Sequence, residues 1–313
     1  MTWRVLVSAP YMQPVLDEYQ ATFAKNDIEL VVPPVRERLS EAELLEWISN
    51  IDGVIAGDDQ FTERVMQKAP RLKIISKWGT GIDCIDREAA ERLSILVCNT
   101  PGAFTDPVAD SVMGYVLSFA RQLPWMHRDI REGRWEKRPG VTLRECVLGL
   151  IGVGNIGKAI VRRAVAFGMM VLGNDIVELP ALFVTETSLK VVSKNELLTR
   201  ADFVSLNCTL NPTSYHLLGE HELALMKPTA YLINTSRGPV VDEQALGKAL
   251  QRHQIAGAAL DVFEEEPLPL DSPLRLLDNC LLAPHNANSS PKAWRWVHEN
   301  TIRNLLEGLR APR

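Results

Sequence analysis

Short apolar runs alternate with amphipathic stretches along most of the 313 residues, and the alternation passes through two series. In the first, runs at 4–8, 28–32, 53–57, 73–77 and 95–98 have the length and β-branched content of strands. Helical spacing occupies 15–23, the stretch from Ser40 to Ile48, 62–68 and 86–92. Ser40 with Glu43 makes a capping box, and Thr62 is placed to cap the next helix. Pro101-Gly102 marks a boundary. A helix over 106–121 follows, with Val108, Val112, Tyr115, Val116 and Phe119 on one stripe.

The second series has strands at 147–151, 169–172, 202–206, 230–234, 255–260 and 280–283, and helices that include 220–226 and 242–251. One more amphipathic helix is expected over 291–309. Strand and helix alternating at this pace predict an α/β fold of two Rossmann-like, doubly wound parallel sheets. Residues 125–140 break the pattern: they are basic, carry Trp125 and Trp135, and read as a loop. The segment is either a solvated charged loop or an arm that packs on a partner subunit with the two tryptophans as anchors.

The densest signal lies at 147–175. An apolar run is followed by Gly152, Gly154 and Gly157 in G-x-G-x-x-G spacing, then a helical stretch, then a second run ending at Asp175. Gly152 permits a tight turn, Gly154 lets the backbone approach a pyrophosphate, and Gly157 allows close packing of helix on strand. The N–H groups of Asn155 and Ile156 would sit at a helix N-terminus, where the dipole favours an anion. Asp175 stands eighteen residues past Gly157. A carboxylate there accepts from a ribose 2′-hydroxyl and repels a 2′-phosphate, which predicts NAD over NADP.

Composition narrows the partners. A net charge of −5 gives no reason to expect nucleic acid or an anionic membrane. No apolar run approaches the ~20 residues of a membrane span, and no signal peptide is expected from MTWRVLVSAP, which leads straight into a strand. The five cysteines are scattered and lack C-x-x-C spacing, so reduced thiols, a cytoplasmic location and no metal site are expected.

Three stretches past predicted strand ends carry polar residues: Asn234-Thr235-Ser236-Arg237-Gly238, the acidic run from Asp261 through Glu266 to Pro267, and Pro284-His285-Asn286. In an open parallel sheet, ligands bind at such ends. Arg237 offers a fork for a substrate carboxylate. His285 is suited to move a hydroxyl proton, because an imidazole ordinarily titrates near neutrality. Glu266 can orient that imidazole, and Asp261 can orient a nicotinamide amide.

These marks together resemble the D-isomer-specific 2-hydroxyacid dehydrogenases. The resemblance runs over nearly the whole chain: KWGTGIDCID at 77–86, NTPG at 99–102, GLIGVGNIGKAI at 149–160, INTSRGPVVDEQAL within 226–246, IAGAALDVFEEEPL at 255–268 and LLAPH at 281–285. It implies a flavodoxin-like substrate-binding domain of residues 1–98 and 287–313 and an NAD-binding Rossmann domain of residues 99–286. It implies Arg237, Glu266 and His285 as the catalytic set. Gly152, Gly154, Asn155, Ile156, Gly157, Asp175, Cys208, Thr235 and Asp261 are implied at the cofactor, with Lys77, Gly79 and Thr80 at the substrate. A homodimer through the NAD-binding domain is expected.

KWGTGID looks most like the D-3-phosphoglycerate dehydrogenase branch, in which a basic residue at Lys77 suits a substrate phosphate; the other reading of Lys77 is an ordinary surface lysine. No appended regulatory domain is expected. D-3-phosphoglycerate/3-phosphohydroxypyruvate is therefore the first substrate expectation, and a glycerate/glyoxylate or hydroxypyruvate pair the second. An NADH-sensing corepressor-like binding protein is the alternative from another class, since such relatives keep the same residues. The chain departs from the family pattern at Asp110, at Asn207-Cys208-Thr209 and at Asn286-Ala287-Asn288.

Overall fold

The first apolar run forms β1 (Trp3–Val7), whose Val5, Leu6 and Val7 are fully buried. The computed structural model describes residues 2–311 and divides the chain into two units, Met1–Phe104 with Ser290–Arg313, and Thr105–Ser289. In the first unit, β1 is followed by α1 (Gln20–Lys25), β2 (Ile28–Val31), α2 (Glu41–Trp47), β3 (Gly53–Ala56), α3 (Glu63–Gln67), β4 (Ile74–Lys77), α4 (Arg87–Arg92) and β5 (Leu96–Cys98). All strands pair in parallel in the order β2-β1-β3-β4-β5, the flavodoxin-like order. Both β3 and β4 are buried at every position, as strands covered on both faces must be. The two expected caps form: Ser40 and Glu43 bond reciprocally, and Thr62 accepts from the Val65 N–H; Asp86 caps α4 as well, accepting from the Ala89 N–H.

The helix expected over 15–23 is instead two pieces. A 3₁₀ segment over Gln13–Tyr19 precedes α1. Pro14 starts it, and Tyr19 leaves helical geometry, so the hydrogen-bond ladder restarts there.

The second unit contains α5 (Thr105–Ala120), α6 (Leu123–Arg131), β6 (Val147–Ile151), α7 (Asn155–Ala166), β7 (Met170–Asn174), α8 (Ala181–Thr187), β8 (Lys190–Val191), α9 (Lys194–Arg200), β9 (Phe203–Leu206), α10 (Glu220–Leu225), β10 (Tyr231–Asn234), α11 (Glu243–Gln251), β11 (Gly257–Leu260) and β12 (Cys280–Leu282). Its parallel sheet has the order β12-β11-β10-β9-β6-β7-β8. The winding reverses between β6 and β9, which opens a crevice at their carboxyl ends. The chain then returns to the first unit with α12 (Pro291–Arg310), which lies so close on β4 that a Cβ on Gly308 would stand 2.2 Å from Ile74 Cδ1.

The expected loop at 125–140 is corrected in its first half, which is α6. Gln122 turns the chain with φ 56°, and Pro124 sits in the first turn. The Trp125 ring lies tilted against Phe119, centroids 5.6 Å apart, and donates its indole N–H to the Asp278 carbonyl at 2.9 Å, so it packs within its own unit. The buried Asp129 carboxylate near the end of α6 binds the Arg134 and Arg138 guanidiniums past the helix, while Trp135 remains 87% exposed.

Candidate active site

The three glycines of the second unit do different work. Gly152 has φ +91°, and a Cβ on it would meet Asn207 and Cys208 backbone atoms at 2.6–2.7 Å. The chain leaving β9 therefore crosses directly over it. A Cβ on Gly157 would stand 2.4 Å from the Gly152 carbonyl oxygen, so α7 packs against the turn itself. A Cβ on Gly154 would meet nothing within 4 Å. The protein has no packing use for that glycine, and the open space lies at the N-terminus of α7 beside Asn155 and Ile156.

Asp175, one residue past β7, accepts the Val153 N–H at 2.6 Å and the Val177 N–H at 3.0 Å. Its carboxylate both pins the glycine turn and puts negative charge at the next strand end. Cys208 is half-buried, and burial pushes its thiol pKa up. Thr235, just past β10, has a buried Oγ1 with no hydrogen-bond partner among the described residues. A buried hydroxyl left open is costly unless a ligand completes it. The open space at Gly154, the helix N-terminus, Asp175 and this hydroxyl fit a dinucleotide.

The neighbouring strands β10, β11 and β12 bring three loops side by side. The Asn234 side chain closes the first, accepting the Ser236 N–H at 3.1 Å and donating to the Arg237 carbonyl at 2.9 Å. Gly238 presses on the second loop, since a Cβ would fall 1.9 Å from the Phe263 carbonyl carbon. This contact fixes the Arg237 loop against the loop that carries Glu266. Outside it, Glu264 accepts from the Glu243 N–H at 3.2 Å and lies 2.8 Å from His216 Nε2, while Glu243 accepts from the Glu264 N–H at 3.1 Å.

Asp261 is 1% exposed. Its carbonyl accepts the His285 N–H at 2.7 Å, and its carboxylate accepts the Asn286 and Ala287 N–H groups at 2.9 and 2.8 Å. Burial raises its pKa, and these two backbone bonds pull against that rise. His285 is held at φ +50°, a left-handed conformation uncommon for a residue with a side chain. Asp261 thus clasps the turn on which the imidazole is mounted, a role sequence alone did not assign to it.

Glu266 accepts the Phe263 N–H with Oε1 at 3.0 Å and faces His285 Nδ1 with Oε2 at 3.0 Å. An ionised carboxylate only accepts, so Nδ1–H is the donor of this bond.

In the first unit, Lys77 ends β4 and is buried rather than exposed. Its Nζ lies 3.1 Å from Asp58 Oδ1 and donates to the Trp78 carbonyl at 2.8 Å. Gly79 has φ +112°, and its carbonyl accepts the Thr100 N–H at 2.8 Å. The Thr80 hydroxyl donates to the Thr100 carbonyl at 3.0 Å. This loop is therefore tied to the chain after β5.

Residues not singled out from sequence are Asp58, His216 and Glu243, which act through partners distant in sequence, so no local signal marks them; Glu264 was read only as part of the acidic run. Gly238 carried a signal: a glycine directly after an arginine at a strand end.

Comparison with known proteins agrees with this geometry. Residues 113–287 match the model of the D-isomer specific 2-hydroxyacid dehydrogenase, NAD binding domain. The chain is 38% identical over 313 residues to a glyoxylate reductase of Thermofilum pendens, covering 96% of this chain and 91% of that protein. It is 41% identical over 277 residues to a D-3-phosphoglycerate dehydrogenase of Methanocaldococcus jannaschii, covering 86% of this chain but 52% of that longer one. A crystal structure of D-lactate dehydrogenase from Aquifex aeolicus, complexed with NAD and lactic acid, superposes with a TM-score of 0.86 at 29% identity, over 96% of this chain and 93% of that one. Among the described residues no helix is long and apolar enough to cross a membrane. With a dinucleotide cradle, a histidine–glutamate couple and a family match over more than half its length, the chain belongs to the D-isomer-specific 2-hydroxyacid dehydrogenases and is an NAD-dependent enzyme.

Proposed function

We propose that this protein reduces a small, unphosphorylated 2-oxo acid of the glyoxylate or hydroxypyruvate kind to the D-2-hydroxy acid. The observation that carries the choice is Lys77. Its ammonium is buried and paired with Asp58, so it offers no uncompensated charge to a substrate phosphate. Similarity to a glyoxylate reductase over almost the whole chain supports the same reading.

Reduction needs a hydride at the carbonyl carbon and a proton at its oxygen. NADH, when bound, supplies the hydride. The His285 imidazolium gives the proton from Nε2 to the oxygen as negative charge develops there. Glu266 holds Nδ1–H and stabilises the charged ring before transfer. Within the second unit, Arg237 is the group suited to the substrate carboxylate and keto oxygen. Within the first unit, the Gly79–Thr80 loop carries backbone N–H groups suited to a carboxylate. In the reverse direction neutral His285 takes the hydroxyl proton. The exposed Trp135, Ile130 and Leu123 support a homodimer built on the NAD-binding unit. A cytoplasmic location completes the reading.

The second reading is reduction of 3-phosphohydroxypyruvate, favoured by the identity to the M. jannaschii D-3-phosphoglycerate dehydrogenase. The test is a kcat/KM panel of glyoxylate, hydroxypyruvate, pyruvate and 3-phosphohydroxypyruvate, with NADH and NADPH. The proposal expects the first two to lead, with NADH preferred. A clear lead for the phosphorylated acid would favour the second reading, and no oxidation of NADH with any of them would defeat both.

A further inference from the structure

The turn after β3 carries two adjacent acids with different surroundings. Asp59 is fully buried, accepting from the Ser8 hydroxyl at 2.5 Å, the Leu39 N–H at 2.7 Å and the Gly57 N–H at 2.9 Å. Those bonds fix the turn. Asp58, thereby positioned, keeps 35% of its side chain exposed and pairs with Lys77 at 3.1 Å. The strands hold the partners in register: Ala56 lies opposite Lys77, and the Trp78 N–H donates to the Ala56 carbonyl at 2.8 Å. The Lys77 Nζ also lies 3.7 Å from where a Gly79 Cβ would be, directly at the Gly79–Thr80 loop.

Resting on the reading that this loop receives the carboxylate of an unphosphorylated 2-oxo acid, we infer that Asp58 is a specificity-determining residue. It cancels the Lys77 charge and presents its own partly exposed carboxylate beside the loop. A substrate whose only anionic group is its carboxylate is met by the loop N–H groups. A substrate with a further phosphoryl group finds the neighbouring cation already paired and a like charge in front of it. Selection here is a charge placed against the wrong ligand. Removing the Asp58 charge reverses this, because a buried ammonium without its counter-ion gains most from a new anion.

The experiment compares wild type, Asp58→Asn, Asp58→Ser and the charge-retaining Asp58→Glu. The readout is the ratio of kcat/KM for 3-phosphohydroxypyruvate to that for glyoxylate, with NADH, at low and high salt. The ratio should rise by about tenfold or more in Asp58→Asn and Asp58→Ser, chiefly through a lower KM for the phosphorylated acid. Asp58→Glu should stay near the wild-type ratio, and added salt should shrink the gain. Either neutral variant suffices for the test if the other does not fold. Should neither fold, a wild-type KM for 3-phosphohydroxypyruvate that falls with salt relative to that for glyoxylate supports repulsion, and one that rises overturns it. A wild type that prefers glyoxylate, with a ratio unmoved by the neutral variants, overturns the role of Asp58 alone. A wild type that prefers the phosphorylated acid overturns the substrate reading and the role of Asp58 together.

Discussion

Gly238 and the Phe263 carbonyl occupy neighbouring space so closely that a Cβ on the glycine would fall 1.9 Å from the carbonyl carbon. The Arg237 loop and the Glu266 loop are thereby fixed to one another. Gly238→Ala must push them apart. The expected result is loss of most activity together with a stability loss of about 1–3 kcal/mol, as in other overpacked sites. Thermal melts and kcat/KM for the variant check it; a variant with unchanged melting and unchanged turnover contradicts the inter-loop contact.

The glycines of the dinucleotide turn should separate binding from folding. Gly154→Ala adds a methyl where the protein offers no contact within 4 Å, so its melting temperature should stay near wild type. The same methyl stands where a pyrophosphate would approach, and the NADH Kd should rise by about tenfold or more. Gly157→Ala drives a methyl onto the Gly152 carbonyl and should cost stability first. NADH fluorescence titrations and melts of the pair decide it.

Asp175 should govern the choice between the two nicotinamide cofactors. Asp175→Ser removes the charge that a 2′-phosphate would meet, so the NADPH to NADH ratio of kcat/KM should rise. Because Asp175 also accepts the Val153 N–H, NADH binding should weaken in the same variant. A ratio that does not move would place the selectivity elsewhere.

The first unit should lose stability in mild acid through His298. This ring is 6% exposed, and its Nδ1 accepts the Trp78 indole N–H at 2.9 Å, which requires an unprotonated nitrogen. Burial lowers its pKa below the usual 6.5, against the opposing pull of Glu18 and Glu299. A lowered folded-state value means that the unfolded chain binds the proton first. The contribution is thus fully present above about pH 6.5 and is lost as pH falls toward the folded-state value. His298→Asn keeps an acceptor and does not titrate. Its melting temperature should vary less than that of wild type between about pH 7.5 and 5.

How much of this was written locally in the chain follows from the kind of interaction. The glycine turn was legible because its spacing is local: Gly157 answers Gly152 within the β6–α7 unit, Gly152 answers the adjoining β9 end, and Gly154 between them is left open. The strand ends bearing Arg237, Asp261 and His285 were legible because alternating strand and helix signals impose a parallel sheet, and parallel sheets gather carboxyl ends. The helix α6 was not, since it starts from a left-handed Gln122 and is held by Trp125 against Asp278, far along the chain. β8 was missed because both its residues are exposed and leave no apolar run. The burial of Lys77 and its pairing with Asp58 depend on the register of two strands, so from sequence this strand-end lysine read either as a candidate for phosphate or as an ordinary surface lysine. Asp261 was legible as a functional residue but not as the clasp of the His285 turn, because its bonds span 25 and 26 residues.

The proposed reaction rests on His285 exchanging the substrate proton while Glu266 steadies the imidazole. His285→Ala tests this most directly, read by NADH binding through fluorescence and by kcat with glyoxylate or the best acid of the panel. The account predicts an NADH Kd within about threefold of wild type and a kcat lower by about 10²–10⁴-fold, as expected for the loss of a positioned acid–base group. A variant that binds NADH normally and turns over within about tenfold of wild type would contradict it.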